Sequence, residues 1–215
     1  MHRQILTLAA MAIAAPALAQ QQPPSVPATW KVRADHGTPI IVAETDLGPN
    51  ATDTVRLVTM PPGWHVTTGP AVITYDPAWQ AQGSYRVEME SFLFPGDRLE
   101  GFGLFVGGHD LEGAGRSYLY VLLRKDGAFL VKRREGGATE TLIPWTKHAA
   151  VVPHTEGTAK NVLAVDVATD SVRIVVNDQQ VAALDRTNLV TDGQVGLRVN
   201  HALNVHVTRV DVTQR

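Results

Sequence analysis

Glu88 and Glu90 stand two residues apart in a β-branched and aromatic run. On a strand that spacing puts both carboxylates on one face, with about 7 Å between their Cα atoms. Two carboxylates roughly 5 to 10 Å apart are what acid and base cleavage of a glycosidic bond requires. A solvated strand face with alternating charges gives the same spacing without any chemistry. A second group is basic and aromatic: Arg116, Arg124, Lys132, Arg133 and Arg134 fall on or beside an Asp126-Gly127 turn, with Tyr118 and Tyr120 on one strand face. Rings cover apolar faces of a ligand while guanidinium groups donate in a fixed planar fork, so this pairing suits a sugar or an anion. Charges that guard a hairpin against edge aggregation produce the same composition.

A third group comprises Arg198, Asn200, His201, Asn204 and His206 near the end of the chain. These side chains suit hydroxyl recognition, and a histidine near neutral pH can also carry a proton. The spacing of His201 and His206 specifies no zinc site, and no third ligand is evident. His109 and Asp110 follow Gly107-Gly108 in a Gly-rich stretch, where function concentrates but ordinary connections also occur. Trp30, Trp64, Trp79 and Trp145 read chiefly as packing anchors; Trp64 and Trp79, beside prolines, are the better placed for stacking on a sugar from a loop.

The elements that must position these residues are strands. From Trp30 onward, short β-branched and aromatic runs are separated by Gly, Pro, Asn and Asp, the pattern of an all-β sandwich or barrel. The runs predict strands over 30–34, 39–44, 54–60, 71–75, 84–94, 101–106, 117–125, 128–134, 139–143, 161–168, 171–177, 180–185, 195–200 and 203–212. Asp126-Gly127 and Asn177-Asp178 predict two-residue hairpin turns, because these residues tolerate the left-handed backbone such turns need. Gly136-Gly137 is a third turn candidate. Alternation puts Val195, Leu197 and Val199 on one face against Gly196, Arg198 and Asn200. In the last run it changes phase between Val207 and Val210, which predicts a one-residue bulge near Thr208 and Arg209.

The segments 85–90, 101–106, 118–124, 161–165, 175–178 and 192–198 together resemble concanavalin A-like jelly-roll domains, and within them the secreted laminin-G-like and 3-keto-disaccharide hydrolase type domains. The resemblance spans about residues 30–213. It implies an all-β jelly-roll sandwich of two antiparallel sheets. It further implies a carbohydrate or glycan partner, with Arg116, Tyr118, Tyr120, Arg198, Asn200 and His206 along a concave face. Two other readings stand beside it: a glycoside or 3-keto-disaccharide hydrolase using Glu88 and Glu90, and a structural accessory domain without a small ligand. Where the hydrolase-type domains carry Asn-Ser-Gly, this chain has Gly101-Phe102-Gly103. The glucanase pattern Glu-x-Asp-x-Glu is also incomplete, for Phe92 stands where a third acid belongs. No cofactor is implied, although the superfamily admits structural calcium through loop carboxylates such as Asp110 and Asp192; no alternating calcium-loop pattern is present.

Residues 1–19 carry His2 and Arg3, an apolar run from Ile5 to Ala15 and an Ala17-Leu18-Ala19 end, the form of a secretory signal. Residues 20–28 are Gln- and Pro-rich and read as a disordered or extended leader, which leaves 29–215 as a single domain. The expected location is therefore secreted or periplasmic. With no cysteine in the chain there is neither a disulfide nor a thiol for a lipid anchor, and no later segment is apolar enough to span a bilayer. A formal net charge of −2 without like-charge runs argues against nucleic acid. Asn50-Ala51-Thr52 matches a glycosylation acceptor.

Overall fold

A computed structural model describes residues 25–43, 47 and 51–215. The signal segment, most of the leader and Asn50 of the acceptor tripeptide lie outside these residues.

Sixteen strands follow in chain order. They are β1 (Lys31–Ala34), β2 (Ile40–Val42), β3 (Thr54–Thr59), β4 (Trp64–Thr68), β5 (Val72–Tyr75), β6 (Gln80–Ala81), β7 (Tyr85–Leu93) and β8 (Gly101–His109). Then come β9 (Ser117–Arg124), β10 (Ala128–Glu135), β11 (Ala138–Lys147), β12 (Ala159–Val167), β13 (Ser171–Val176), β14 (Gln179–Asp185), β15 (Gly193–Val199) and β16 (Asn204–Gln214). The first sheet runs β1-β5-β15-β8-β9-β10-β11 with β6 beside β15, and the second runs β14-β13-β12-β7-β16-β4-β3-β2. Pairing is antiparallel apart from β2 with β3, which makes the second sheet mixed. Among the described residues no helix is long and apolar enough to cross a membrane.

Turn chemistry accounts for the local connections. Asn177 and Asp178 both take positive φ, 47° and 65°, and join Val176 directly to Gln179 as a two-residue turn. The β9–β10 connection differs from expectation. Arg124 pairs with Ala128, so the loop holds three residues, and only Gly127 is left-handed, with φ 82°. Such a loop follows a type I turn closed by a left-handed glycine. The bulge falls where the phase changes: β16 slips against β7 between Val207 and Arg209, and Val210 and Val212 return to the inner face.

β4 and β6 fall outside the strands that the sequence pattern predicts. The alternation in Trp64, Val66 and Thr68 is short and follows Pro61-Pro62-Gly63, yet β4 pairs with both β3 and β16. Trp64 is therefore not loop-borne. It opens a strand and packs on Trp30 at 4.7 Å and on Trp79 at 5.6 Å.

The main core lies between the sheets, built from residues such as Phe102, Leu104, Leu119, Val121, Tyr85, Met89, Leu163 and Leu197. A second apolar cluster lies on the outer face of the first sheet: Ile73, Tyr75, Phe105, Leu111, Tyr118, Tyr120, Leu122 and Leu130, with Trp145 against it. Gly196 permits it, since a Cβ there would come within 2.6 Å of the Phe105 ring and 2.7 Å of the Thr74 carbonyl oxygen. We expect Gly196→Ala to destabilise the protein by about 1 to 3 kcal/mol in urea titration, the usual cost of overpacking; an unchanged midpoint would show that the cluster yields freely.

Candidate functional site

On the outer face of the first sheet the apolar floor meets a charged ring. β9 alternates so that Tyr118, Tyr120 and Leu122 face outward while Leu119, Val121 and Leu123 enter the main core. Ring contacts run as a row across the strands. Tyr75 lies 6.1 Å from Phe105, Phe105 5.3 Å from Tyr118, and Tyr118 5.5 Å from Tyr120. Two clefts adjoin the row: one of about 330 Å³ beside Tyr75, Gln80, His109 and Leu111, the other of about 260 Å³ beside Tyr118, Arg134, Gly136 and Val190.

Asp35, in the connection after β1, organises the ring. Its carboxylate accepts two hydrogen bonds from Arg198, at 2.7 and 2.6 Å, and one from Arg134 at 3.0 Å. Arg116 donates to the Asp35 backbone carbonyl at 3.1 Å and stands 3.8 Å from the carboxylate. Burial pushes the Asp35 carboxyl up, but the Arg198 hydrogen bond and the charges of Arg198, Arg134 and Arg116 outweigh it and hold the group below its ordinary value. Burial pulls Arg198 down, but its hydrogen bond to Asp35 together with the charges of Tyr118, Asp35 and Tyr120 outweighs this and raises it above its ordinary value. Arg116 is lowered by burial first and then by the Arg134 charge.

The ring continues outward. Arg198 Nε donates to Asn200 Oδ1 at 3.1 Å, and Asn200 Nδ2 donates to Glu100 at 3.1 Å. Lys132 sits opposite Tyr120 in the β9–β10 register and is half-buried. Arg124 grips Asp126 with bonds of 2.8 and 2.9 Å while its guanidinium lies 4.3 Å over the Trp145 ring. Trp145 rests on Gly101, where a Cβ would come within 2.7 Å of the indole.

Of the eight candidate ligand and catalytic residues, five share this face, Arg116, Tyr118, Tyr120, Arg198 and Asn200, and Arg124, Lys132 and Arg134 of the basic group lie with them. Glu88, Glu90 and His206 do not join them. β15 and β16 are neighbours in sequence, but the chain crosses between sheets at His201–Leu203, where Thr68 Oγ1 donates to the Asn200 carbonyl at 2.5 Å and accepts from the Leu203 amide at 3.2 Å. His206 therefore points from the second sheet, with its ring nitrogen 2.9 Å from the Pro62 carbonyl and its ring 5.9 Å from His65. His201 is exposed in the crossover turn, 4.0 Å from Glu100.

Glu88 and Glu90 do share one face, the outer face of the second sheet, but both are engaged. Glu88 accepts from Arg86 at 2.6 Å and from Arg209 at 2.5 Å. Glu90 binds Lys160 at 2.8 Å and Thr208 Oγ1 at 3.0 Å. At Glu88 the upward push of burial is overcome by the Arg86 and Arg209 hydrogen bonds, and at Glu90 the Lys160 bond lowers the value directly. Both are held ionised, whereas glycoside cleavage needs one carboxyl kept protonated as the acid. A cleft of about 480 Å³ adjoins Arg86, Glu88, Asp211 and Trp79, but Arg86 pairs with Glu88 and Asp211 with Arg209.

The loop carboxylates considered for calcium are committed to local structure. Asp110 accepts from the Gly115 amide at 2.9 Å, and Asp192 from the Gly83 amide at 3.0 Å and from Arg186 at 2.8 Å. Among the described residues no group of three or more His, Asp or Glu side chains gathers to hold a metal.

No protein-family model matches the sequence, and no curated protein matches it. Solved structures do. The carbohydrate-binding module CBM66 from Bacillus subtilis superposes with a TM-score of 0.61 at 14% identity, over 86% of this chain and 95% of that one. A protein of unknown function with a galectin-like fold, also from Bacillus subtilis, gives 0.59 at 10% identity, over 86% and 89%. A GH16 protein of the Bacteroides ovatus mixed-linkage glucan PUL, solved with a G4G4G3G product, gives 0.58 at 9% identity, over 86% and 94%. The fold is a concanavalin A-like jelly-roll β-sandwich.

Breaking a buried ion pair by removing one partner typically costs about 3 to 5 kcal/mol, so Asp35→Ala should destabilise the protein by that order in chemical denaturation. Because the folded carboxyl titrates below its ordinary 3.8, its contribution is complete above that pH and fades as the pH falls through the lower folded value. Wild type should therefore lose stability below about pH 4 more steeply than Asp35→Asn; parallel acid profiles would dissociate the hub from acid stability.

Proposed function

We propose that the protein is a carbohydrate-binding module that uses the outer face of its first sheet and works outside the cytoplasm. One observation carries the reading. An aromatic row and a ring of pre-oriented polar groups share a single sheet face, with Trp145, Lys132 and Asn200 half-buried and reachable from solvent. Sugar recognition uses this combination, in which rings cover the apolar C–H face of a pyranose and fixed donors and acceptors meet its hydroxyls. Two similar structures support the reading by their own descriptions, one as a carbohydrate-binding module and one as a complex with a G4G4G3G product. The paired state of Glu88 and Glu90 favours binding over cleavage at that carboxylate pair.

Isothermal titration against a panel of neutral and acidic oligosaccharides tests it. At least one glycan should bind, and Asn200→Ala with Trp145→Ala should weaken it about tenfold or more, since each polar group lost at a sugar contact is worth about 1 kcal/mol. No heat from any glycan would overturn the reading. For export, N-terminal sequencing of the protein recovered outside the cytoplasm should begin at Gln20; a retained Met1 would count against it.

A further inference from the structure

Charge on the proposed binding face is unbalanced. Arg33, Arg116, Lys132, Arg134 and Arg198 gather there, and Asp35 is the single carboxylate they share. The other acids of the face are engaged elsewhere: Glu100 accepts from Asn200, and Glu112 faces Lys31 at 3.8 Å and Tyr75. Three hydrogen bonds from Arg198 and Arg134 already fall on the Asp35 oxygens, so its one charge is shared among several guanidinium groups.

The surplus shows in unmet donors. Arg116 is 7% exposed, and its Nε is buried without a hydrogen-bond partner. Arg33 Nε is likewise buried and unpartnered, and among the described residues the Arg33 side chain makes no hydrogen bond or ion pair. A buried donor left unsatisfied costs about 1 to 3 kcal/mol, more when it is charged, so native structures rarely keep one without reason. Like charge is felt at the same place, since Arg134 and Arg33 both depress the ionisation of Arg116. Among the described residues the Lys132 side chain has no ion-pair partner either, and it faces outward beside Tyr120. Over the whole chain the net charge is −2, so this excess is local.

Resting on the proposed function above, we infer that the saccharide this face receives is anionic, with a sugar carboxylate or sulfate taken up by the cations that exceed the charge of Asp35. Guanidinium matches both oxyanions in planar two-point geometry, and desolvated walls strengthen such bonds. Asp35 then has a second effect: it neutralises Arg198 at the floor and leaves the outer cations for the ligand.

The test is titration of wild type with matched pairs that differ only in charge: oligogalacturonate and its methyl ester, glucuronoxylan and xylan oligomers, and a sulfated galactan with its desulfated form. A single-stranded oligonucleotide serves as a general polyanion. At least one acidic member should bind about tenfold or more tighter than its neutral partner, as hydrogen bonds to charged groups require. That ratio should fall as salt rises from 0.05 to 0.5 M. It should also fall in Arg33→Ala/Lys132→Ala, whose melting temperature is compared with wild type; if that variant unfolds, the salt series on wild type decides alone. Equal binding within every pair overturns the inference and leaves the carbohydrate reading intact. Equal binding of the oligonucleotide and the acidic glycans also overturns it, in favour of unspecific polyanion attraction. Silence across the panel overturns both.

Discussion

A β-sheet face can hold several arginines in a desolvated layer only if something negative sits among them. Here that is Asp35, delivered by the turn after β1, with Arg198 on β15, Arg134 on β10 and Arg116 at the entry to β9 arranged around it. Guanidinium groups a few ångströms apart in a medium of low polarity repel by several kcal/mol, and the shared carboxylate reverses the sign. The same contacts fix the connection after β1 over the sheet, so one residue sets both the charge balance and the covering of the aromatic row. Arg198 orients Asn200, and Asn200 orients Glu100, which passes the geometry outward one hydrogen bond at a time.

The two sheets solve the problem of an outer face differently. The first buries both faces, which is why Tyr118 through Leu123 are all inaccessible and the strand reads as an unbroken apolar run. The second keeps its outer face wet and lays ion pairs across β7, β12 and β16: Arg86 bridges Glu88 and Asp166, and Arg209 bridges Glu88 and Asp211. Carboxylates in such a lattice serve cohesion. The contrast explains why chemistry-like spacing at Glu88 and Glu90 and a less conspicuous scatter of arginines exchange importance once folded.

Strand order along the chain was legible because turns and alternation are local. Asn177-Asp178 declared its turn, and the phase change between Val207 and Val210 declared its bulge. Sheet membership was not legible at the end of the chain. Arg198, Asn200, Asn204 and His206 look like one cluster until the crossover at His201–Leu203 sends β16 into the other sheet, and no local pattern marks that step. Asp35 escaped notice for a related reason. A lone aspartate after a short strand has no signature, since its meaning comes from arginines at positions 116, 134 and 198. β4 was missed because a five-residue strand behind two prolines and a glycine looks like loop, and only its pairing with β3 and β16 makes it a strand.

The topology also sets a schedule. β15 enters the first sheet between β5 and β8, and β16 enters the second between β7 and β4. Local hairpins such as β8–β9–β10–β11 and β12–β13–β14 can close early, but neither sheet is continuous until these two strands arrive. Each is a keystone: before it is laid, both of its neighbours present bare edges capable of pairing with other chains. Such long-range pairing is slow, because loop closure is costly before contacts repay it. Most of the sequence is thus committed to waiting, with four sheet edges open, for the arrival of a short final stretch.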